Sequence, residues 1–438
     1  MARGARLGRP IPEAILYRSS LALSCLALQY AACVGTPDDT RSKSAAELDS
    51  LAVPPEGTCR VDTSLAPRTD YAQPGPHAVG VLDVDFEDPS RPIMANAKHG
   101  AASTRSLPTR IYYPAQDARP LFGAPALAKG GPFPLLVHSH GYGSSRAEAR
   151  HVGERAASHG YVVVAADFPF TKTDRILMGD SLDTSDIVNQ AGDVSFLIDQ
   201  LLALSHNPKH LLWRAVDKSR IGATGVSMGG LTTLLAAYHP ELHDERIRAA
   251  APVAPLSSFF MPEFYHTRTI PLLLLSGDQD AFIDYNRNAR RSFERAAPNA
   301  QLVTLAKGSH AAFAFPLDGL TLALMNTLLA PADADPTNPD GFGCAQTGAA
   351  LRADSDYLAP MGGRSNFVDY DAVREPWLPC SGPEYKQPAM DAEEQVELGA
   401  QAVVAFFDAH FGSTPQKRSD GCTHLVKTLP KHAGVRVE

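Results

Sequence analysis

The sequence predicts an α/β fold in which a mainly parallel central sheet is flanked by helices. Short apolar runs typical of buried parallel strands alternate with helical patterns along the chain, as in successive strand–helix–strand units. A length of 438 residues and a hydrophobic content of 44% are sufficient for one large core of this kind. The predicted strands are 110–113, 135–139, 161–165, 221–224, 249–253, 272–276 and 301–305, and the clearest predicted helices are 186–204, 228–238 and 392–411.

A G-x-S-x-G pattern lies where the fourth predicted strand meets the helix 228–238. Gly225 and Gly229 flank Ser227 in this pattern. A serine on such a turn sits in a strained backbone conformation with its hydroxyl exposed, and larger neighbours would collide with the following helix. The pattern therefore predicts that Ser227 is a nucleophile.

A serine hydroxyl is a weak nucleophile at neutral pH unless a base removes its proton, so a carboxylate and a histidine should follow it along the chain. His310 comes just after a glycine-containing turn at the end of the last predicted strand, and it is the predicted base. The preceding strand runs into a loop that offers three carboxylates, Asp278, Asp280 and Asp284.

The reaction also needs hydrogen-bond donors for the oxyanion, and the loop 138–144 after the second predicted strand is the expected source. The backbone N–H groups of Tyr142 and Met228 are the predicted donors. His138 and His140 point to one face of their strand, which raises the alternative of a metal site. Since no third ligand with matching spacing is present, we predict neither metal nor cofactor, and expect both imidazoles to hydrogen-bond the loop.

Taken together, these segments resemble the α/β-hydrolases of the predicted dienelactone hydrolase group, close to bacterial relatives of plasma-type platelet-activating factor acetylhydrolase. The resemblance covers about 79–411 and rests on the motifs TRIYYP (109–114), HGYG (140–143), SHGYVVVAAD (158–167), VDKSRIG (216–222) and GSH (308–310). Bacterial cutinase-like polyester hydrolases have similar tyrosine and methionine oxyanion positions. True dienelactone hydrolases have a cysteine where this chain has Ser227, which argues against dienelactone as the substrate.

The resemblance also implies roles for individual residues. The Gly-x-x-Asp spacing that ends at Asp280 is similar to that of serine hydrolases of this architecture, so Asp280 is preferred over its two neighbours as the partner of His310. Tyr142, Phe313 and Phe315 lie next to catalytic elements and are candidates for an apolar substrate pocket, with core packing as the equal alternative.

The expected function is that of a serine carboxylic ester hydrolase that forms an acyl-enzyme with small or medium esters. Alternatives within enzymes are a lipase or phospholipid acetylhydrolase, a cutinase-like polyester hydrolase, and a peptidase or amidase. From another class, a non-catalytic surface binding protein could retain the same scaffold. A net charge of −8 without a long basic run argues against nucleic-acid binding, so the expected partner is a small-molecule or lipid ester. The sequence leaves the oligomeric state open.

The N-terminus predicts export. Several arginines precede the apolar run 19–32, which is too short for a permanent membrane span, so 1–33 reads as a signal peptide. Ala31, Ala32 and Cys33 resemble the end of a bacterial lipobox, and lipidation of Cys33 with a membrane tether stays open beside a plain signal peptide. The chain is expected in the bacterial cell envelope as a lipoprotein, or secreted.

The remaining organisation follows from composition and cysteine content. We predict a disordered linker at 34–78, a catalytic domain at 79–413 with an insertion or lid at 331–390, and a C-terminal tail at 414–438. Four cysteines, an even number, follow the signal region, which suits an oxidising compartment. Three pairings are available to them, and we favour Cys344 with Cys380 and Cys59 with Cys422.

Overall fold

The computed structural model describes residues 59–117, 124–178, 182–314, 319–345, 359–373 and 379–438. Over these residues nine strands form one sheet. They are β1 (Ala78–Asp88), β2 (Arg105–Ala115), β3 (Phe133–Ser139), β4 (Val162–Ala166), β5 (Val216–Val226), β6 (Ile247–Val253), β7 (Leu272–Gly277), β8 (Ala300–Leu305) and β9 (Val435–Val437). Their spatial order is β1-β2-β4-β3-β5-β6-β7-β8-β9.

The centre of the sheet is parallel and its margins are antiparallel. The run from β4 through β3, β5, β6 and β7 to β8 is parallel throughout. At one margin β1 and β2 pair antiparallel and β2 runs antiparallel to β4, and at the other β9 runs antiparallel to β8. This mixed sheet with a parallel centre confirms the predicted fold class. It also places the ends of β3, β5, β7 and β8 on one edge, the carboxyl edge.

Helices cover both faces of the sheet. They are α1 (Arg150–Ser158), α2 (Thr173–Leu177), α3 (Ile187–His206), α4 (Met228–Tyr238), α5 (Pro262–Tyr265), α6 (Arg291–Ala296), α7 (Ala311–Ala314), α8 (Gly319–Leu329), α9 (Pro339–Gly343), α10 (Ala392–Phe411) and α11 (Pro415–Thr423). Helices α3 and α4 pack on one face and α1 and α10 on the other.

The continuous apolar strands divide their side chains between two cores. In β4, Val162 and Val164 belong to the core beneath α3 and α4, whereas Val163 and Ala165 belong to the core beneath α1 and α10. Successive side chains of a strand point to opposite faces, so a strand covered on both sides must be apolar at every position. This is the physical reason that the central strands were readable from the sequence.

The two edge strands of the sheet, β1 and β9, were not predicted. Strand β1 has the sequence AVGVLDVDFED, in which polar residues alternate with apolar ones, and β9 has only three residues. The predicted C-terminal tail at 414–438 needs correction, because α11 and β9 lie within it and β9 extends the sheet beside β8. Only the cross-strand partner gives so short a segment its conformation.

The predicted linker at 34–78 also needs correction from residue 59 onward. Tyr71 is fully buried, and its hydroxyl donates to Asp408 of α10 over 2.9 Å. The Thr69 hydroxyl donates to Asp420 of α11 over 2.8 Å. Polar composition suggested disorder here, whereas these long-range bonds fix the segment. Residues 34–58, together with the predicted signal peptide and Cys33, lie outside the described residues.

The described residues contain two disulfides, and both predicted pairings are confirmed. Cys59 bonds to Cys422 across 363 residues of sequence, and Cys344 bonds to Cys380 across 36. The second disulfide staples the predicted insertion at 331–390, of which the structure describes 331–345, 359–373 and 379–390. Within the described ranges, no helix combines the length and the apolar character needed to cross a bilayer.

Candidate active site

Ser227 is the single residue that connects the end of β5 to the start of α4. Its φ and ψ are 59° and −116°, a backbone conformation that residues other than glycine rarely adopt. Its N–H donates to Val253 O of β6 over 2.8 Å. A Cβ added at Gly229 would come within 1.9 Å of Ser139 O, and one at Gly225 within 2.4 Å of the same oxygen. The G-x-S-x-G glycines are therefore required by the close approach of β3 to this turn.

The loops after β7 and β8 meet in the same way. A Cβ at Gly277 would lie 2.1 Å from Gly308 O, so the absence of a side chain lets the two loop starts touch. This contact brings together two residues that are 30 positions apart in sequence: His310 Nδ1 and Asp280 Oδ2 are separated by 2.7 Å. Both side chains are largely buried.

The second carboxylate oxygen of Asp280 is fixed by the backbone. Oδ1 accepts the N–H groups of Phe282 over 2.8 Å and Ile283 over 2.7 Å. Oδ2 is thereby directed at His310. Because an ionised carboxylate only accepts hydrogen bonds, Nδ1 of His310 carries the proton and Nε2 is the basic nitrogen.

The charges around His310 favour its protonated form. Burial lowers the pKa of the imidazole, but the charge and hydrogen bond of Asp280 and the charges of Asp340 and Glu148 outweigh it, so the pKa is raised above its ordinary 6.5. The Phe282 ring stacks on the imidazole at 5.0 Å between centroids. The imidazole of His310 is thus held in one orientation, in surroundings that favour its positive charge.

The two competing carboxylates have other partners. Asp278 accepts the Lys307 N–H over 2.7 Å through Oδ1 and pairs with Arg436 of β9 over 2.8 Å through Oδ2. Asp284 accepts the N–H of Arg287 over 2.7 Å.

The loop after β3 lies against Ser227. A Cβ at Gly141 would lie 3.5 Å from the Cβ of Ser227, which places Tyr142 beside the serine turn. The loop is held by Gly143 N–H, which donates to Thr171 O over 2.8 Å, and by Ser144 N–H, which donates to Gly141 O over 3.2 Å. Met228 is the first residue of α4, where backbone N–H groups have no acceptor within the helix. Met228 thus follows Ser227 directly, and Tyr142 follows the glycine that approaches the Ser227 side chain.

The two histidines of β3 and its loop are engaged in hydrogen bonds. His140 Nδ1 donates to Gly141 O over 2.7 Å, and its Nε2 accepts the Phe168 N–H over 3.0 Å. This pattern requires a neutral ring, and burial lowers the pKa of His140 accordingly. His138 Nε2 lies 3.2 Å from Glu148 Oε1. Across the described ranges no group of three or more His, Cys, Asp and Glu side chains is arranged to hold a metal ion.

Three polar residues that support the site were not singled out from the sequence. The carboxylate of Glu148 accepts the N–H of Gly141 over 3.1 and 3.2 Å. The side-chain amide of Gln395 of α10 forms two hydrogen bonds with the backbone of Ser309. It accepts the Ser309 N–H over 2.9 Å and donates to the Ser309 carbonyl over 2.7 Å. Asp340 of α9 binds the loops of both Asp280 and His310.

Local patterns gave part of the signal for two of these residues. Ser145 and Glu148 form an S-x-x-E capping pattern, but the glutamate side chain binds Gly141. Asn338 and Pro339 mark the start of a helix. Neither pattern reveals the distant loop that each carboxylate reaches.

The candidate pocket residues differ in their placement. Tyr142 is half-buried beside Ser227 and packs against the core. Phe313 is buried in the core beneath α10, where its ring lies 3.6 Å from the Cβ position of Gly399. This placement favours the packing alternative for Phe313. Phe315 lies outside the described residues.

The fold and site together define the class. A serine on a strained turn after β5 and a hydrogen-bonded Asp–His pair after β7 and β8, all on the carboxyl edge of a parallel sheet, make this an α/β-hydrolase. The family model described as PET hydrolase-like matches residues 109–359, more than half of the chain. The chain therefore belongs to the PET hydrolase-like family.

Curated relatives support the same assignment. Cutinase est1 of Thermobifida alba is 30% identical over 171 residues, which is 39% of this chain and 46% of the relative. Cutinase 2 of Thermobifida cellulosilytica is 29% identical over 181 residues, 41% of this chain and 55% of the relative. Cutinase cut1 of Thermobifida fusca is 29% identical over 181 residues, 41% of this chain and 46% of the relative. The chain thus spans about half the length of the curated relatives it matches.

Proposed function

We propose that this protein is a cofactor-free serine hydrolase of carboxylic esters in which Ser227, His310 and Asp280 form the catalytic triad. The observation that carries the proposal is the 2.7 Å bond between His310 Nδ1 and Asp280 Oδ2 on the same sheet edge as the strained Ser227 turn. Membership in the PET hydrolase-like family supports the ester as the bond that is cleaved.

The proposed reaction runs through an acyl-enzyme. Nε2 of His310 takes the Ser227 proton as the serine oxygen attacks the ester carbonyl, and the imidazolium then protonates the departing alcohol. Water, deprotonated by the same nitrogen, releases the acid and restores the serine. Asp280 holds the imidazole in the required tautomer and stabilises its positive charge throughout.

The proposed oxyanion hole consists of the backbone N–H groups of Tyr142 and Met228. This role is supported by the position of Met228 directly after Ser227, by the approach of Gly141 to the Ser227 side chain, and by the Glu148 carboxylate, which binds the Gly141 N–H. Preorganised donors of this kind are typically worth about a hundred- to a thousandfold in kcat each.

The substrate is proposed to be a small or medium carboxylic ester, and a polyester, cleaved by a cutinase-like hydrolase, is the second candidate. The similarity to proteins named cutinases and to the PET hydrolase-like family favours this second candidate. A lipase or phospholipid acetylhydrolase remains the alternative from the sequence resemblance. A non-catalytic binding protein would keep the fold without turnover.

Hydrolysis of a p-nitrophenyl ester series from acetate to palmitate tests the proposal, with Ser227→Ala as the control for contaminating activity. We expect turnover by the wild type and none above background by the variant. A preference for acetate to butyrate would favour the small-ester reading, whereas release of soluble products from a polyester film would favour the polyester hydrolase. Equal rates for wild type and Ser227→Ala would refute the triad.

We also propose that the protein is exported. The two disulfides support an oxidising compartment, because such bonds are rare in a reducing cytosol. The predicted signal peptide and lipidation at Cys33 are tested by mass analysis of the mature N-terminus. A diacylglycerol adduct on Cys33 would support the membrane tether, a free N-terminus beyond it would support secretion, and an intact Met1 would contradict export.

A further inference from the structure

The insertion contributes a buried carboxylate that touches both catalytic loops. Asp340 is fully buried, and its two oxygens accept three backbone N–H groups. Oδ2 accepts from Ala281 over 2.9 Å and from His310 over 3.0 Å, and Oδ1 accepts from Ala311 over 2.6 Å. One side chain therefore bonds the residue after Asp280, the base itself and the residue after the base.

The helix that carries Asp340 is itself held firmly. Asn338 Oδ1 accepts the Asp340 N–H over 2.9 Å, and the Asn338 amide donates to Glu384 O over 3.0 Å and to Gln387 O over 2.9 Å. At the other end of α9, Cys344 is joined to Cys380, whose N–H donates to Ala281 O over 2.7 Å. The insertion thus bonds both backbone groups of Ala281 in the loop after β7, and the Gln279 amide of the same loop donates to Gln387 O of the insertion over 3.0 Å.

A carboxylate in this place acts on His310 by charge as well as by position. The charged groups that face His310 are Asp280 after β7, Glu148 beside the oxyanion loop and Asp340, and all three raise the pKa of the imidazole. Burial and the charge of Asp280 raise the pKa of Asp340 to about 6, while His310 and the backbone N–H groups oppose that rise. Both oxygens of Asp340 accept backbone N–H groups, as an ionised carboxylate does, and its charge favours the imidazolium.

We propose that Asp340 is a positioning residue of the catalytic triad, by which the insertion holds the Asp280 and His310 loops in their reactive arrangement. This role rests on the proposed ester hydrolase function. Asp340 lies behind the reacting groups and acts through the backbone of His310 and through its charge. Small displacements of a catalytic group are costly, since about 1 Å can lower the rate by about a hundredfold.

The variant Asp340→Asn tests the proposal. Its side chain has an NH₂ group in place of one carboxylate oxygen, and this group cannot accept the backbone N–H that the oxygen accepts. We expect kcat to fall about ten- to a hundredfold with KM nearly unchanged. We also expect the acid limb of the kcat/KM profile to move to lower pH, because one of the three negative charges around His310 is removed. Rates are normalised to active sites titrated with a fluorophosphonate, so that loss of folded protein does not count as loss of kcat.

Asp335→Asn is the matched control in the same insertion. In the part of the chain that the structure describes, the carboxylate of Asp335 accepts hydrogen bonds only from Thr337. The Thr337 N–H donates over 2.8 Å and the Thr337 hydroxyl over 2.6 Å. Its replacement should leave kcat and the acid limb at their wild-type values. Should Asp340→Asn not accumulate as folded protein, Asp340→Ser removes the same charge in a smaller side chain and is read by the same two measurements.

The outcomes separate the two proposals. A reduced kcat with a displaced acid limb supports the positioning role. Wild-type kcat and an unmoved acid limb per titrated site would overturn it, even if the variant were less stable, because stability alone would then be the contribution of Asp340. Absence of ester turnover by the wild type would count against the proposed function itself.

Discussion

At the scale of single residues, the proposed reaction depends on whether the imidazole of His310 can take up a proton. His310 is buried, yet its surroundings favour the charged ring because Asp280 bonds Nδ1 and the carboxylates of Asp340 and Glu148 add their fields. A base that receives a proton inside a buried site needs this compensation, since burial alone would oppose the charge. The strained φ of Ser227 and the oriented imidazole thus belong to one arrangement.

The first prediction at this scale distinguishes the carboxylates. Asp280→Asn should lower kcat by about 10³- to 10⁴-fold, because the amide would no longer hold the required tautomer of His310. Asp278→Asn should change kcat by less than about threefold, because Asp278 binds Lys307 and Arg436. Steady-state kinetics on one ester measures both, with circular dichroism as the check of folding. Equal losses in the two variants would break the assignment.

The second prediction concerns pH. His310 must be neutral to accept the serine proton, and its pKa is raised above 6.5, so kcat/KM should fall with decreasing pH at a midpoint above 6.5. In Asp280→Asn the residual activity should have its midpoint at lower pH, since the largest favourable charge is gone. A pH–rate profile of both proteins checks this, and an acid limb below pH 6 in the wild type would contradict it.

At the scale of elements, buried pairs fix how strands and helices meet. Arg105 at the start of β2 bonds Asp193 of α3 over 2.7 Å and Asp186 just before that helix over 2.9 Å. All three side chains are buried. The cluster joins the antiparallel margin of the sheet to the helix that covers its face.

The third prediction compares two arginines of the same strand. Arg105→Met should lower the free energy of unfolding by about 3–5 kcal/mol, because the buried Asp186 loses its cation and the buried Asp193 is left with that of Arg91, 2.8 Å away. Arg110→Met should lower it by no more than about 1 kcal/mol, because its bidentate partner Asp83 is half exposed to solvent. Urea denaturation measures both values, and a similar change in the two variants would contradict the burial argument.

The reach of sequence reasoning is clearest when individual elements are compared. The helices Met228–Tyr238 and Ala392–Phe411 were predicted with the bounds that the structure gives, because the helical pattern lies within the segments themselves. Strand β9 could not be predicted, since three residues become a strand only by pairing with β8. Burial of Tyr71 in the expected linker likewise depends on Asp408, more than three hundred residues away.

The same distinction holds for the candidate site. Ser227, His310 and the acid loop carry local signals, namely flanking glycines and positions just after apolar strands. The choice among three aspartates needed a family resemblance. The roles of Asp340 and Gln395 could not be predicted, because both side chains bind distant backbone groups that only the folded chain brings near.

At the scale of the whole molecule, the two ends of the described chain are fastened to the body. Cys59 bonds Cys422, and Asp408 of α10 accepts the hydroxyls of Tyr71 over 2.9 Å and Tyr161 over 2.6 Å. Lys417 lies 3.1 Å from the same carboxylate, which compensates its burial.

The fourth prediction tests this fastening. The double variant Cys59→Ser with Cys422→Ser should lower the free energy of unfolding by about 2–4 kcal/mol through the larger entropy of the unfolded chain. Its kcat should stay within about twofold of the wild type, because the catalytic loops are held by hydrogen bonds of their own. Denaturant unfolding and ester kinetics measure the two quantities, and a large loss of kcat in folded protein would show that the fastening reaches the site.

Peptide mapping after reaction with a fluorophosphonate tests the proposed roles of Ser227 and His310 most directly. We expect one covalent adduct, on Ser227. It should be absent from Ser227→Ala and should form much more slowly in His310→Ala. An unlabelled wild type, or an adduct on another serine, would contradict the claim that Ser227 and His310 form the nucleophile and base of this enzyme.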